Sequence, residues 1–325
     1  MLWRITAICC IAFSLLSCQT SAPFIPADVI IADAHGGGSV IDFNNSETIL
    51  ASGGWSGYIR LWKMPDGTKH AAWKAHKGEV TSLHFTGNDK LLISSGYDGF
   101  IKIWSTSTGK LVKQINTLHT IHTTEIDELR NLIISGHING MIRIWRLTTL
   151  SPLKQRKQHN SPVKAIAFHD NIIASSGSGG DVMLWPGSAP SSKLPSPFSA
   201  VRSLSFAENG RILLGGGWFN LYRWTLNENK LQVLDTEHRG IIRNMQLLDN
   251  DSTLATISRQ TDSAVLFLDP QTGAVKQRFQ SHDLCGVDVT VSRHQKFLAT
   301  TSDDASVRIW WLHKLPETEP SDSGH

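Results

Sequence analysis

Between residues 28 and 312 the chain is written in short runs of alternating apolar and polar side chains, separated by clusters of Gly, Asn, Asp and Ser. Ile101-Lys102-Ile103-Trp104 is one such run. Successive side chains of a strand point to opposite faces, so period-two alternation marks a half-buried strand, and the turn-forming cluster before it marks a hairpin. No long segment after residue 20 repeats its apolar positions at helical spacing. The pattern predicts an all-β protein.

The hairpin phrase recurs. "SSGYDGFIKIW" (94–104) has counterparts at 52–62, 135–145, 175–185, 214–224, 258–268 and 300–310. Aligned on the last residue of each (Trp62, Trp104, Trp145, Trp185, Trp224, Leu268 and Trp310) the intervals are 42, 41, 40, 39, 44 and 42 residues. Repeats of roughly 40–45 residues with four short strands each are β-propeller blades. The 325 residues would allow two domains by length alone, but a closed all-β array of this size forms one. The expected fold is therefore a seven-bladed β-propeller of four-stranded antiparallel blades over residues 28–312.

These residues resemble the WD40 family. That family places a histidine ahead of the first strand of each blade, here His35, His76, His119, His159, His238 and His282, and ends the third strand in Trp-Asp. The resemblance is in period and register: Gly rarely precedes the histidine, Asp follows the aligned residue only at Asp269, and blade five has Leu214 where Ser or Thr is usual. Blades two and seven match without gaps, His76, Ser94, Asp98 and Trp104 corresponding to His282, Thr300, Asp304 and Trp310. The resemblance implies that each set forms a buried chain from Asp through His and Ser/Thr to the indole N–H, which would satisfy a buried imidazole and indole together. His, Ser and Asp also make catalytic triads, but two copies in equivalent blades read as architecture. The resemblance also implies closure of the ring by the β-rich run "DVIIADA" (28–34), paired with the strands of the last blade so that no sheet edge stays open.

The N-terminus is different. "MLWRITAICCIAFSLLSC" carries Arg4 ahead of a twelve-residue apolar stretch from Ile5 to Leu16, too short to span a bilayer and typical of an export signal. Leu15-Leu16-Ser17-Cys18 resembles the lipobox of bacterial lipoproteins, which implies cleavage after residue 17 and lipid modification of Cys18; a plain secretory signal with a chance cysteine is the alternative. The expected organisation is a signal peptide (1–17), a lipidated tether (18–27), the propeller, and a disordered acidic tail (313–325). Gln19 after the cysteine suggests the periplasmic face of the outer membrane if the source is Gram-negative. Of four cysteines only Cys285 falls in the propeller, so the mature domain has no internal disulfide. "LPETE" (315–319) resembles a cell-wall sorting motif but lacks the following glycine and any apolar segment.

Composition narrows the function further. With 31 basic and 28 acidic residues and no clustered basic stretch, the chain is not expected to bind nucleic acid. There is no P-loop, no Gly-x-Ser-x-Gly elbow and no haem-attachment motif. His119 and His122 have no Cys, Asp or Glu near them in sequence to complete a metal set, so no cofactor is expected and no catalysis. What remains is surface. The family's partner-binding face carries the loops before the first strand and inside the central hairpin. Trp55, Tyr97 and Trp218 stand in those hairpin loops, and His122, Lys164, Arg202 and Arg243 open the first strands of four successive blades. Aromatics with arginines have the makeup of interface hot spots. The function expected is a lipid-anchored, extracytoplasmic interaction scaffold for a protein or acidic peptide. The alternative is a cofactor- or substrate-handling propeller, a haem or metal chaperone or an enzyme, that uses channel-mouth histidines. Four prolines between 186 and 197 predict a poor outer strand in blade four.

Overall fold

A computed structural model describes residues 24–187, 190–248 and 250–314. The signal region, Cys18 and the tail from residue 315 lie outside them. The described residues form seven separate β-sheets arranged as a closed propeller, with one short 3-10 helix at Leu312–Lys314. Each blade is an antiparallel meander. Blade two, for example, runs Val80–Phe85, Leu91–Gly96, Phe100–Ser105 and Leu111–Asn116 from the central axis outward. The inner strands pack side by side around the axis, and that of blade seven (Gly286–Val291) meets that of blade one (Ser39–Phe43). The apolar faces of the sheets fill the spaces between blades, with Trp224 and Trp310 among the largest fully buried side chains.

The ring closes as the resemblance implies. Val29–Ile31 pairs antiparallel with Val307–Trp311 as the outer strand of blade seven, Val29 opposite Ile309. Asp28 accepts the Trp311 amide at 2.8 Å. On the axial side Asp288 accepts the Ile41 amide at 2.9 Å, and Glu47 accepts the Ser292 hydroxyl and the His294 amide at 2.6 and 2.7 Å.

Two features depart from the sequence reading. Phe24–Ile25, assigned to the tether, adds a fifth strand to blade six, parallel to Val275–Phe279. Trp310 consequently does not complete a tetrad in blade seven: its indole donates to the Ile25 carbonyl at 3.1 Å, because the N-terminal segment crosses its edge. The rest of that set is present, His282 Nε2 lying 2.7 Å from the Thr300 hydroxyl and Nδ1 3.2 Å from Asp304. Blade two holds the full chain: Asp98 to His76 Nδ1 at 2.8 Å, His76 Nε2 to Ser94 at 2.7 Å, and the Trp104 indole to Ser94 at 2.9 Å. The histidine approaches so closely that a Cβ on Gly96 would lie 2.5 Å from His76 Nδ1, which is why the second strand ends in glycine. Burial raises the Asp98 carboxyl, but the His76 hydrogen bond and charge and the Lys77 and Phe100 amides outweigh it and bring its pKa down to about 2.

Other blades vary the theme. Blade four joins His159 to Asp181 and, at 2.8 Å, to Ser175. The spacing from His to Ser is two residues shorter than in blade two, so a gapless comparison misses it. In blade three His119 is not the buried histidine: His137 comes in from the second strand, 2.9 Å from Ser135, which also accepts the Trp145 indole. The outer strand of blade four is only Ser192–Lys193, as its prolines predict.

Candidate functional site

Because successive strands of a meander reverse direction, the loops entering each blade and the loops inside each central hairpin all lie at one end of the propeller. Among the described residues, seven of the fourteen exposed large apolar side chains are on these loops: Trp55, Tyr97, Leu118, Ile138, Phe198, Phe219 and Leu284. An apolar rim of this kind on one face is the surface expected of a protein-binding site.

Inside the rim is the mouth of the central channel, and a backbone device builds it. In blades three, four and six the inner strand has a register shift near its start, between Ile121 and Thr123, Val163 and Ala165, and Ile242 and Asn244. The extra residues are His122, Lys164 and Arg243. A bulge re-aims the side chain it carries, and all three line the channel, joined by Arg202 from the equivalent end of blade five. Sequence reasoning placed these four residues together, and the structure brings them to one cavity.

The electrostatics are unusual. Among the described residues no acceptor lies within hydrogen-bonding or ion-pair distance of the Lys164, Arg202 or Arg243 side chains, although a neighbourhood of protein surrounds each. Burial, then the charges of Arg202 and Arg243, lowers the pKa of Lys164. Burial and Arg259 lower that of Arg202. His122 is brought down to about 4 by burial and by Lys164, Arg243 and Arg202, so it is neutral at pH 7. Its ring stands edge-on to Tyr97, the phenolic oxygen 3.5 Å from Nδ1. The counter-charges are Glu79, raised by burial despite Arg243 and Arg259, and Asp288, whose charge opposes the effect of burial on Arg243; Asp303 is taken up by Arg259, with which it pairs at 2.8 Å. Glu79, Arg259 and Asp303 were missed by the sequence reading; Glu79 was legible as the residue before the inner strand of blade two, the place Arg202 holds in blade five.

Trp55 is half exposed, at 51%, and stacks over the glycines at 37–38, where a Cβ on Gly37 would lie 3.1 Å from its ring. Trp218 differs from the expectation. Its backbone bridges to Ile241 and its amide donates to Ser199, so the ring is half-buried and the adjoining Phe219 takes the exposed place. Phe219 sits at φ 63°, a left-handed conformation that turns it outward. His119 does not join His122 in a ligand set, since its Nδ1 faces the Arg143 guanidinium at 3.2 Å. Among the described residues no three His, Cys, Asp or Glu side chains converge as metal ligands.

Deeper in the channel are three carboxyls. Asp42 is raised to about 7, chiefly by burial, with the Phe85 amide opposing and Asp288 adding to the rise. Glu125 is raised to about 8 by burial and by Asp42 and Asp288. Asp288 reaches about 6, its burial offset by the Ile41 amide, Asn244 and Arg243. Asp42 and Glu125 are walled in by protein yet keep part of their surface on the channel, so they titrate. A carboxyl whose folded pKa is raised binds protons more tightly folded than unfolded, and stability then falls as pH rises from the unfolded value through the folded one. His35, His84, His122 and His137, four groups brought to about 4 mainly by burial, act oppositely: stability falls as pH drops from 6.5 towards 4. The melting temperature should therefore peak between pH 6 and 7, the histidines dominating below that range. Glu125→Gln should flatten the decline between pH 7 and 8.5; a wild-type melting temperature that rises over that range would contradict the placement of these carboxyls.

Comparison with known proteins agrees with this architecture. The family model described as "WD domain, G-beta repeat" matches residues 30–63, 67–105 and 273–310, each running from the outer strand of one blade through the first three strands of the next, in blades one, two and seven. The chain is 23% identical to WD repeat-containing protein 55 of Arabidopsis thaliana, over 88% of this chain and 83% of that protein. It is also 23% identical to the human angio-associated migratory cell protein, over 84% of this chain and 67% of that protein. A short stretch, 14% of this chain, is 46% identical to 11% of the mouse guanine nucleotide-exchange factor SEC12. The fold continues through the blades that the family model does not match: the protein is a seven-bladed β-propeller, and three of its segments are similar to WD40 repeats.

Proposed function

We propose that the protein is an exported, lipid-anchored scaffold that docks a partner protein through an acidic or chain-terminal segment on the hairpin-loop face, without catalysis of its own. WD40 propellers bind protein partners, and the observation that carries the finer reading is the crowding of Lys164, Arg202 and Arg243 without an ion-pair partner inside an apolar rim. Holding like charges together is unfavourable, and a carboxylate arriving among them relieves it; the arginines can do so in bidentate fashion. So few cations would give only weak, salt-sensitive phosphate binding, which disfavours nucleic acid.

Affinity capture from detergent-solubilised membranes tests the face. A Trp55→Ala/Arg202→Glu variant with unchanged melting temperature should lose one specific protein that the wild type retains. An unchanged partner list would move the site to the blade sides or the opposite face. The anchor rests on the apolar leader and Cys18. Because Phe24 is already in blade six, the six steps from Cys18 span at most about 20 Å, and the propeller would ride close to the bilayer. Cys18→Ser should shift the protein to the soluble fraction and abolish lipid labelling; retention of both would refute the anchor.

A further inference from the structure

The channel carries opposite charges at two depths. Lys164 and Arg243 occupy the bulges at its mouth. In the strand register Asp42 lies one residue below the partner of Ser52, and Glu125 one residue below the partner of Ser135, which is the same depth in blades one and three. That depth is three residues beyond the bulge, about 10 Å along the axis at ~3.3 Å per residue. Asp288 lies between the two levels. All five side chains line one cavity of about 620 Å³.

A simple carboxylate would use the mouth alone and leave the deeper carboxyls unanswered. A simple amine would use the deeper carboxyls alone and leave the cations at the mouth unanswered. A metal ion is a poor match, since the carboxyls stand on different blades and do not converge. Glu125 in particular has no hydrogen bond from protein among the described residues, and its rise is caused by burial and by Asp42 and Asp288 alone. His84, at the same depth, is engaged with the Thr124 carbonyl at 2.8 Å and does not serve as its counter-charge.

We propose that the channel receives a C-terminal lysine of the partner, its α-carboxylate between Lys164 and Arg243 and its ε-ammonium at Glu125 and Asp42. This rests on the carboxylate-binding mouth proposed above and specifies the ligand. In an extended lysine the two charged groups are roughly 7 Å apart by standard bond lengths, and the reach of the Glu125 and Arg243 side chains covers the remaining distance. The α-carboxylate ends the chain at the mouth, the side chain goes down, and the preceding residues leave across the apolar rim. Ammonium and carboxyls then compensate each other's burial.

The test uses three pentapeptides, Gly-Ser-Gly-Ser-Lys as the free acid, the same peptide amidated, and the free acid with norleucine in place of lysine, titrated calorimetrically into the purified propeller. The lysine acid should bind at least tenfold more tightly than either of the others. Equal binding of the norleucine acid overturns the lysine assignment and leaves the carboxylate mouth standing. Equal binding of the amide, or no binding of any peptide, overturns both. Glu125→Gln should erase the preference for lysine over norleucine without weakening the norleucine peptide. Asp42→Asn is the second variant should the first fail to fold, and retention of the full preference in whichever folds refutes the proposal.

Discussion

A chain truncated to begin at residue 33 is expected to melt on the order of 10 °C below the full propeller. The deletion removes the outer strand of blade seven and the fifth strand of blade six together. It takes away the Val29–Ile31 ladder, the Asp28 carboxylate from the Trp311 amide, and the Ile25 carbonyl that accepts both the Trp310 indole and, at 2.9 Å, the Gln280 amide. It also uncovers the aliphatic surface that Ile25, Ala27, Val29 and Ile31 pack against. Hydrogen bonds of about 1 kcal/mol each and apolar area at ~25 cal/mol per Å² sum to about 3–5 kcal/mol. At 2–4 °C per kcal/mol for a domain near this size, the shift is on the order of 10 °C. Truncation to residue 27 should cost less, because the ring stays closed. If the longer truncation melts within about 2 °C of the full chain, the N-terminal strand is not the clasp of the ring.

The second large effect is expected at Asp98. Its carboxylate accepts from His76, from the Lys77 amide at 2.9 Å and from the Phe100 amide at 3.2 Å. Asp98→Ala leaves a buried imidazole nitrogen without its partner, at a cost of about 1–3 kcal/mol. Asp304→Ala in blade seven should cost less at its histidine, since His282 Nδ1 also lies 3.1 Å from the Ser306 hydroxyl. The asymmetry is specific: thermal denaturation should rank Asp98→Ala below Asp304→Ala, and adding Ser306→Ala should bring the blade-seven variant down. Melting curves equal to wild type for Asp98→Ala would place that carboxylate in a solvated turn.

The same two blades show why the reading from sequence went as far as it did. The complete tetrad of blade two was legible because its partners are set by fixed spacings within one repeat, and buried polar groups must be satisfied nearby. Blade seven looks identical by spacing, yet Trp310 turns to Ile25, a residue 285 positions away. Blade three shows the same limit: His119 keeps the expected place in the chain, but His137 fills the pocket.

Period and alternation by themselves determined the seven blades, because each repeat buries the same faces in the same order; the strand that closes the ring came from the family resemblance, and the fifth strand of blade six at Phe24–Ile25 had no sign in the repeat. Period and alternation also brought His122, Lys164, Arg202 and Arg243 to neighbouring blades. Only the tertiary structure decided what those positions mean. The bulges aim three of the four into one channel, and Glu79 and Asp303 from two loops, with Arg259 from the second strand of blade six, set the charges around its mouth. Asp42, Glu125 and Asp288 come from three blades and lie far apart in sequence, so no local pattern marks them. They meet because a closed ring forces the inner strands to share one axis, and there, walled in by protein, their charges act on one another.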